Sequence, residues 1–266
     1  MRYPLLISIP HGGDIIPPEV KDLVDITKRD IFYDSDSLTR KIYDFRNSVE
    51  AFIEMPIARA IVDVNRAPDD RPLQNPDGVI KTMTTNGTPI YKKGRFPDVA
   101  LIDILLQRYY FPYHEKLDDL LESRNIRLAL DCHSMLPRSP PISDNSGEPR
   151  PLICLSNRGD GQGMLRENGP VTCPPEWICA LAESFRHAFA DEGEIAINDP
   201  FSGGYISQFH YGRNKIPWIQ VEINRELYLN EAYFNPEKLR VKTEIIIVLR
   251  RKIFNAIIEG FAMRGR

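Results

Sequence analysis

Short apolar runs that stop at ionisable residues recur along this chain, and they narrow what it can fold into. Residues 5–9 are closed by Pro10-His11-Gly12-Gly13, residues 60–64 by Asn65-Arg66 and residues 126–130 by Asp131-Cys132-His133-Ser134. A fourth run, residues 218–223, carries Glu222 and leads into Asn224-Arg225. Apolar runs of this length, bounded by turn-forming or polar residues, read as strands buried on both faces. Further strands are expected at 51–54, 152–155 and 194–197. Helical spacing predicts helices near 17–24, over 36–49 with Asp36 or Ser37 as N-cap, and over 97–123, where Pro112 should kink or divide the helix. Two more are predicted over 175–190 and 236–261. Strands alternating with helices predict a single α/β domain over residues 1–266, with a mostly parallel central sheet and helices on both faces. In such sheets ligands bind beyond the carboxyl ends of the strands, so the ionisable closures should collect at one edge.

The remaining features exclude several classes of function. No apolar run approaches the ~20 residues that would span a bilayer, and the first residues lack the apolar stretch of a secretory signal, so a cytoplasmic protein is expected. A net charge of −3 without a long basic cluster argues against a nucleic-acid surface and for a small-molecule partner. Cys132, Cys154, Cys173 and Cys179 form no Cys-x-x-Cys pair and read as reduced, structural thiols. The stretches 65–89 and 136–150 are too long for simple connections, and such loops in compact domains are usually functional.

Two histidines at strand ends plus a carboxylate match the needs of a catalytic zinc site, which takes three protein ligands and keeps one position open. His11 and His133 are the first two candidates. Gly12 and Gly13 are expected to let the backbone turn sharply and to leave room for metal and substrate. Asp131, two residues before His133 and so on the same side of an extended strand, is placed to accept the other ring N–H of a ligand histidine. Spacing leaves the third ligand open between Asp14, Asp34 and Asp36. A two-histidine, one-carboxylate set also suits iron or cobalt.

Pro-His-Gly-Gly, Asp-Ser-Asp before a helix, Val-Asp-Val-Asn-Arg-Ala-Pro-Asp-Asp-Arg-Pro-Leu, Tyr113-His114, Asp-Cys-His-Ser, Gly-Gly-Tyr-Ile and Ile-Gln-Val-Glu occur in that order over nearly the whole chain. This ordered set resembles the N-formylglutamate amidohydrolase family. The resemblance implies a zinc-dependent exopeptidase-like fold, similar also to zinc N-acetylmuramoyl-alanine amidases. It implies Asp36 as the acidic ligand, with Asp34 as its substitute, and Glu222 as the catalytic carboxylate. The implied reaction is hydrolysis of N-formyl-L-glutamate to formate and L-glutamate, of the histidine-degradation type.

Chemistry independently asks for a carboxylate such as Glu222, because the attacking water must lose a proton and the leaving nitrogen must gain one. A dianionic substrate needs cationic clamps. Arg66 beside Asn65 is the first candidate, followed by Arg225 and Arg213. Asn198, Gly203, Gly204 and Tyr205 are expected to line the pocket from a loop, and His210 to donate to a developing oxyanion. His114 reads as a packed polar residue, and His187 receives no role. Where the family tends to place an arginine before His-Tyr-Gly, this chain has Ser207-Gln208-Phe209 and a loop one residue longer, which leaves room for another N-acyl amino acid as substrate. Two other readings are an amidase or carboxypeptidase-like hydrolase of short peptides and a non-catalytic binding protein for an anionic metabolite.

Overall fold

Six of the seven apolar runs pair edge to edge into one sheet: β1 (Tyr3–Ile9), β2 (Val49–Glu54), β3 (Leu128–Met135), β4 (Ile153–Ser156), β5 (Ile195–Ile197) and β6 (Trp218–Asn224). Their order is β2-β1-β3-β6-β4-β5, and the first four run parallel, whereas β4 and β5 run the opposite way. The computed structural model describes residues 2–72, 75–141, 143, 145–167 and 169–263. Met1 and the last three residues of the expected domain lie outside the described residues, as do Leu73, Gln74, Ile142 and Asp144 of the two long loops.

Because successive strand side chains point to opposite faces, each central strand has two distinct sides. On one side, Leu5, Ile7 and Ile9, Leu128, Leu130 and Cys132, and Ile219, Val221 and Ile223 form an unbroken apolar layer. It is covered by α2 (Thr39–Ile42), α5 (Pro175–Ala188) and α7 (Thr243–Met263). The other side starts apolar, with Leu6, Ala129 and Trp218 packed under α3 (Val99–Leu105), α4 (Phe111–Ser123) and α6 (Tyr205–Asn214). One step further along it becomes polar: Ser8, Asp131, His133, Gln220 and Glu222, all buried. Register aligns Ser8 with Asp131, Asp131 with Gln220, and His133 with Glu222. The polar residues therefore meet as a patch on one half of one face.

Several local expectations give way to tertiary demands. Residues 17–24 make turns rather than a helix: Val20 and Lys21 donate back to Pro17 and Pro18, and Val24 bridges to Tyr91. The expected helix 36–49 shrinks to the single turn of α2, entered through Leu38 at φ 67°. Asp36 is not its cap; its carboxylate is taken by His133 and Arg225. The hydroxyl of Ser37 instead donates to the Phe32 carbonyl. An unexpected helix, α1 (Lys28–Asp34), precedes it, started by a capping box between Thr27 and Asp30. Residues 60–64 are buried but join no strand, because Asp63 accepts the Asn65 N–H at 2.9 Å and turns the chain.

The 97–123 helix is divided as Pro112 requires, by a wider π-helical turn over Leu106–Tyr110 that joins α3 to α4. The segment at Ser207–Phe209 is not a loop but lies inside α6. The closing helix begins at Thr243 rather than Pro236, since β7 (Phe234–Asn235) and β8 (Arg240–Val241) first form a small hairpin. Among the described residues no helix is long and apolar enough to cross a membrane.

The His11-Gly12-Gly13 turn serves packing rather than ligand space. A Cβ on Gly13 would sit 2.4 Å from the Pro56 backbone, and one on Gly12 would sit 2.5 Å from Arg40 Cγ. Gly13→Ala is expected to cost about 1–3 kcal/mol of unfolding free energy, measured by denaturant titration. Gly212→Ala, on α6 with nothing within 4 Å of its Cβ position, should leave stability unchanged or raise it by up to about 1 kcal/mol.

Candidate active site

Asp36 lies where three elements converge. Its backbone N–H donates to the His11 carbonyl at 2.9 Å, which holds the segment after α1 against the end of β1. One carboxylate oxygen, Oδ2, is 2.9 Å from His133 Nδ1 and 3.6 Å from His11 Nδ1. The other, Oδ1, accepts from Arg225 Nη2 at 3.1 Å. The two imidazole rings stand edge to face with centroids 4.7 Å apart. His11, Asp36 and His133 each bring a ligand atom to within 4.8 Å of the others, so these three buried residues form a group able to hold a metal ion.

The far nitrogen of each ring is tied to a different buried carboxylate. His133 Nε2 is 3.0 Å from Asp131 Oδ2, and His11 Nε2 is 2.6 Å from Asp63 Oδ1. Such carboxylate–imidazole pairs fix ring orientation and tautomer and raise ligand basicity. Asp131 is held in turn by the Ser8 hydroxyl at 2.9 Å. Asp63 receives Arg59 Nη2 at 3.2 Å and has Lys81 Nζ at 3.7 Å. Asp63 falls within the Val-Asp-Val-Asn-Arg block, but nothing local marks it as the partner of His11, 52 positions away.

Charge balance fixes the protonation of the group. Burial penalises an imidazolium at His133, but the Asp131 and Asp36 carboxylates outweigh that and hold its pKa well above the usual histidine range. Burial likewise works against the Asp36 carboxylate, and the two histidines overcome it and hold its pKa well below normal. Glu222 differs: burial pushes its pKa up to about 7, with the Asp36 charge adding to the shift. Its carboxylate accepts from Gln220 Nε2 at 2.9 Å and forms no ion pair among the described residues.

Glu222 lines the same cavity of about 380 Å³ as His11, Asp36 and His133, a size suited to a small molecule. Asn65 lines it too. Its Oδ1 accepts from the Ile206 N–H at 2.8 Å, near the start of α6, and its Nδ2 donates to Asp131 at 3.4 Å. Gly204 lies against Asn65 so closely that a Cβ there would be 2.3 Å from the amide, and its N–H donates to Gln220 at 2.7 Å. Gln220 thus connects Gly204 to Glu222. Its position two residues before Glu222 parallels Asp131 before His133, the alternation from which it was readable.

The other expected site residues divide into two groups. Asn65, Arg66, Gly203, Gly204 and Arg225 line the cavity, as does Asp34, which accepts from the Thr85 N–H at 2.7 Å. Arg66 donates to Asp77 Oδ2 at 2.6 Å, and Arg225 is held by Asp36, Ser134 and the Tyr33 carbonyl. Tyr205 and His210, by contrast, lie outside it. Tyr205 stacks on Phe209, and His210 is fully buried between Asp118 at 2.8 Å and His114 at 3.0 Å. Half-buried Tyr205 packs against the apolar layer under α3, α4 and α6, and His210 is buried against the Trp218 ring of the same layer. Phe209, the position of the departure from the family pattern, also lies outside the cavity. Asp14 is exposed and lines a separate cavity with Gly12 and Gly13; Asn198 pairs with Asn157 and Arg213 with Asp118.

A mostly parallel α/β sheet with buried histidines, aspartates and a protonatable glutamate at one edge defines an enzyme of the hydrolytic type. The N-formylglutamate amidohydrolase family model matches residues 3–229, and the chain belongs to that family of amide-hydrolysing enzymes. It is 28% identical over 245 residues to the N-formylglutamate deformylase of Pseudomonas aeruginosa, covering 86% of this chain and 84% of that protein. It is 27% identical over 263 residues to the N-formylglutamate deformylase of Pseudomonas putida, covering 92% and 90%. Its fold matches the crystal structure of N-formylglutamate amidohydrolase from Ralstonia eutropha JMP134 with a TM-score of 0.74 at 22% identity, over 99% of this chain and 94% of that one.

A pKa raised above the usual histidine range favours the protonated His133 ring, and a metal needs the neutral ring, so loading the site should release protons. Metal affinity is then expected to rise with pH, measured by competition with a chelator. An affinity independent of pH would contradict the charge assignment.

Proposed function

We propose that this enzyme hydrolyses N-formyl-L-glutamate to formate and L-glutamate with a zinc ion held by His11, Asp36 and His133. The observation that carries the reading is the placement of Glu222, in register with His133 on the next strand and kept protonatable near neutral pH. The donor set suits zinc: two imidazoles, each oriented through its other nitrogen, and one carboxylate. When bound there, the ion supplies Lewis acidity to the amide carbonyl and to water.

Glu222 then acts as general base and general acid. It takes a proton from the attacking water as the C–O bond forms, and it returns that proton to the amide nitrogen as the C–N bond breaks. A pKa near 7 suits both transfers, since a group poised at ambient pH accepts and releases a proton at comparable cost. Gln220 aims the carboxylate, and Asn65 and Gly204, packed against each other, form part of the cavity wall. Arg66 and Arg225, each tied to an aspartate, line the cavity, and Asp131 steadies His133. The cavity volume favours a free amino-acid derivative over a peptide chain.

Glu222→Gln is expected to keep its zinc and to lose about 10²- to 10⁴-fold in kcat, while His133→Ala should lose both zinc and activity. Metal analysis and formate release from N-formyl-L-glutamate on the same samples measure both. Full activity in either variant would refute the mechanism, and zinc without formate release in the wild type would refute the substrate.

A further inference from the structure

Four arginines line the cavity: Arg59, Arg66, Arg150 and Arg225. Three of them are matched by a carboxylate, Arg59 by Asp63 at 3.2 Å, Arg66 by Asp77 at 2.6 Å and Arg225 by Asp36 at 3.1 Å. Arg150 has no ion pair among the described residues. Its Nε is enclosed without a hydrogen-bond partner, a costly state for a charged donor. Burial lowers its pKa, with Glu222 and Arg225 as its charged neighbours. This places it electrostatically beside the reacting centre.

The position is built rather than incidental. β4 runs antiparallel to β6, with Cys154 opposite Glu222, so the residues just before β4 arrive at the edge where the parallel strands end. The Arg150 N–H donates to the Pro137 carbonyl at 2.9 Å, and its own carbonyl accepts from Asn224 Nδ2 at 3.3 Å. The guanidinium lies over the Phe201 ring, 4.9 Å from its centroid, and Phe201 is itself part of the cavity wall. A stacked guanidinium keeps its planar fork edge available for a carboxylate.

We propose that Arg150 is the residue that takes a carboxylate of the acidic substrate, so that it, rather than Arg66, sets the requirement for an acidic amino acid. This rests on the proposed reaction for the identity of the ligand, but the geometry requires only a carboxylate-bearing small molecule. Arg66 is disfavoured because a clamp already joined to Asp77 must break that pair to bind.

The test compares wild type with Arg150→Met, which keeps an apolar stem against Phe201, and Arg150→Lys, which keeps charge without the fork. Substrates are N-formyl-L-glutamate, N-formyl-L-glutamine, which lacks the side-chain carboxylate, and 4-formamidobutanoate, which lacks the α-carboxylate. Arg150→Met should lose about tenfold to a hundredfold in kcat/KM on the diacid, mainly through KM. On one of the two monoacids the loss should shrink below about threefold, with partial recovery on the diacid in Arg150→Lys. An equal loss on all three substrates, or no loss, overturns the proposal. If the wild type releases no formate from any of them, the proposed reaction fails while Arg150 is still judged by calorimetry with glutarate. Binding to wild type that is lost in Arg150→Met, with zinc content and melting temperature unchanged, supports the clamp; equal binding, or none to wild type, overturns it.

Discussion

Asp36 is a carboxylate removed from water, and such a group is tolerated only where hydrogen-bond donors surround it. Those donors are His133 on β3, His11 just past β1 and Arg225 after β6. Meeting that single requirement pulls three strand ends and the segment between α1 and α2 to one point. Each donor then carries its own obligation. His133 is backed by Asp131, His11 by Asp63, and Asp63 by Arg59 and Lys81. The polar half of the sheet face is therefore one continuous network of alternating charge, in which removing any member leaves a buried ion uncompensated.

Glu222 stands apart from that network, and its chemistry follows from the separation. Asp36 and Asp63, paired with imidazoles and cations, are held ionised, while Glu222 has only an amide donor among the described residues and stays protonatable near pH 7. One fold thus keeps two kinds of carboxylate within one cavity, distinguished by what each was given as a partner. The same contrast applies to the arginines, where three are committed to aspartates and Arg150 is not.

Much of this was legible before the fold was known. Asp131 and His133 share a strand face because their spacing is two, and Gln220 and Glu222 follow the same rule. The strand-end positions of His11 and His133 and the functional character of the 65–89 loop, which supplies Asn65, Arg66, Asp77 and Thr85 to the cavity, were also readable. Tyr205 and His210 misled because α6 has no strong apolar period, so the segment read as a loop while its helical turn directed both residues into the packing behind the site. Arg150 was not legible for a topological reason: it precedes β4, which runs antiparallel to β6, and so reaches this edge from the start of a strand rather than from the end of one.

The sequence by itself determined that ionisable side chains lie near the ends of buried strands and which neighbours share a face, since those facts depend on composition and on the two-residue period of an extended chain. The tertiary structure alone decided that Asp63 orients His11 across 52 positions of sequence, and that Arg150 lines the cavity. Those outcomes depend on strand order and direction, and long-range pairing is set by how two faces of one sheet are covered, which no local spacing encodes.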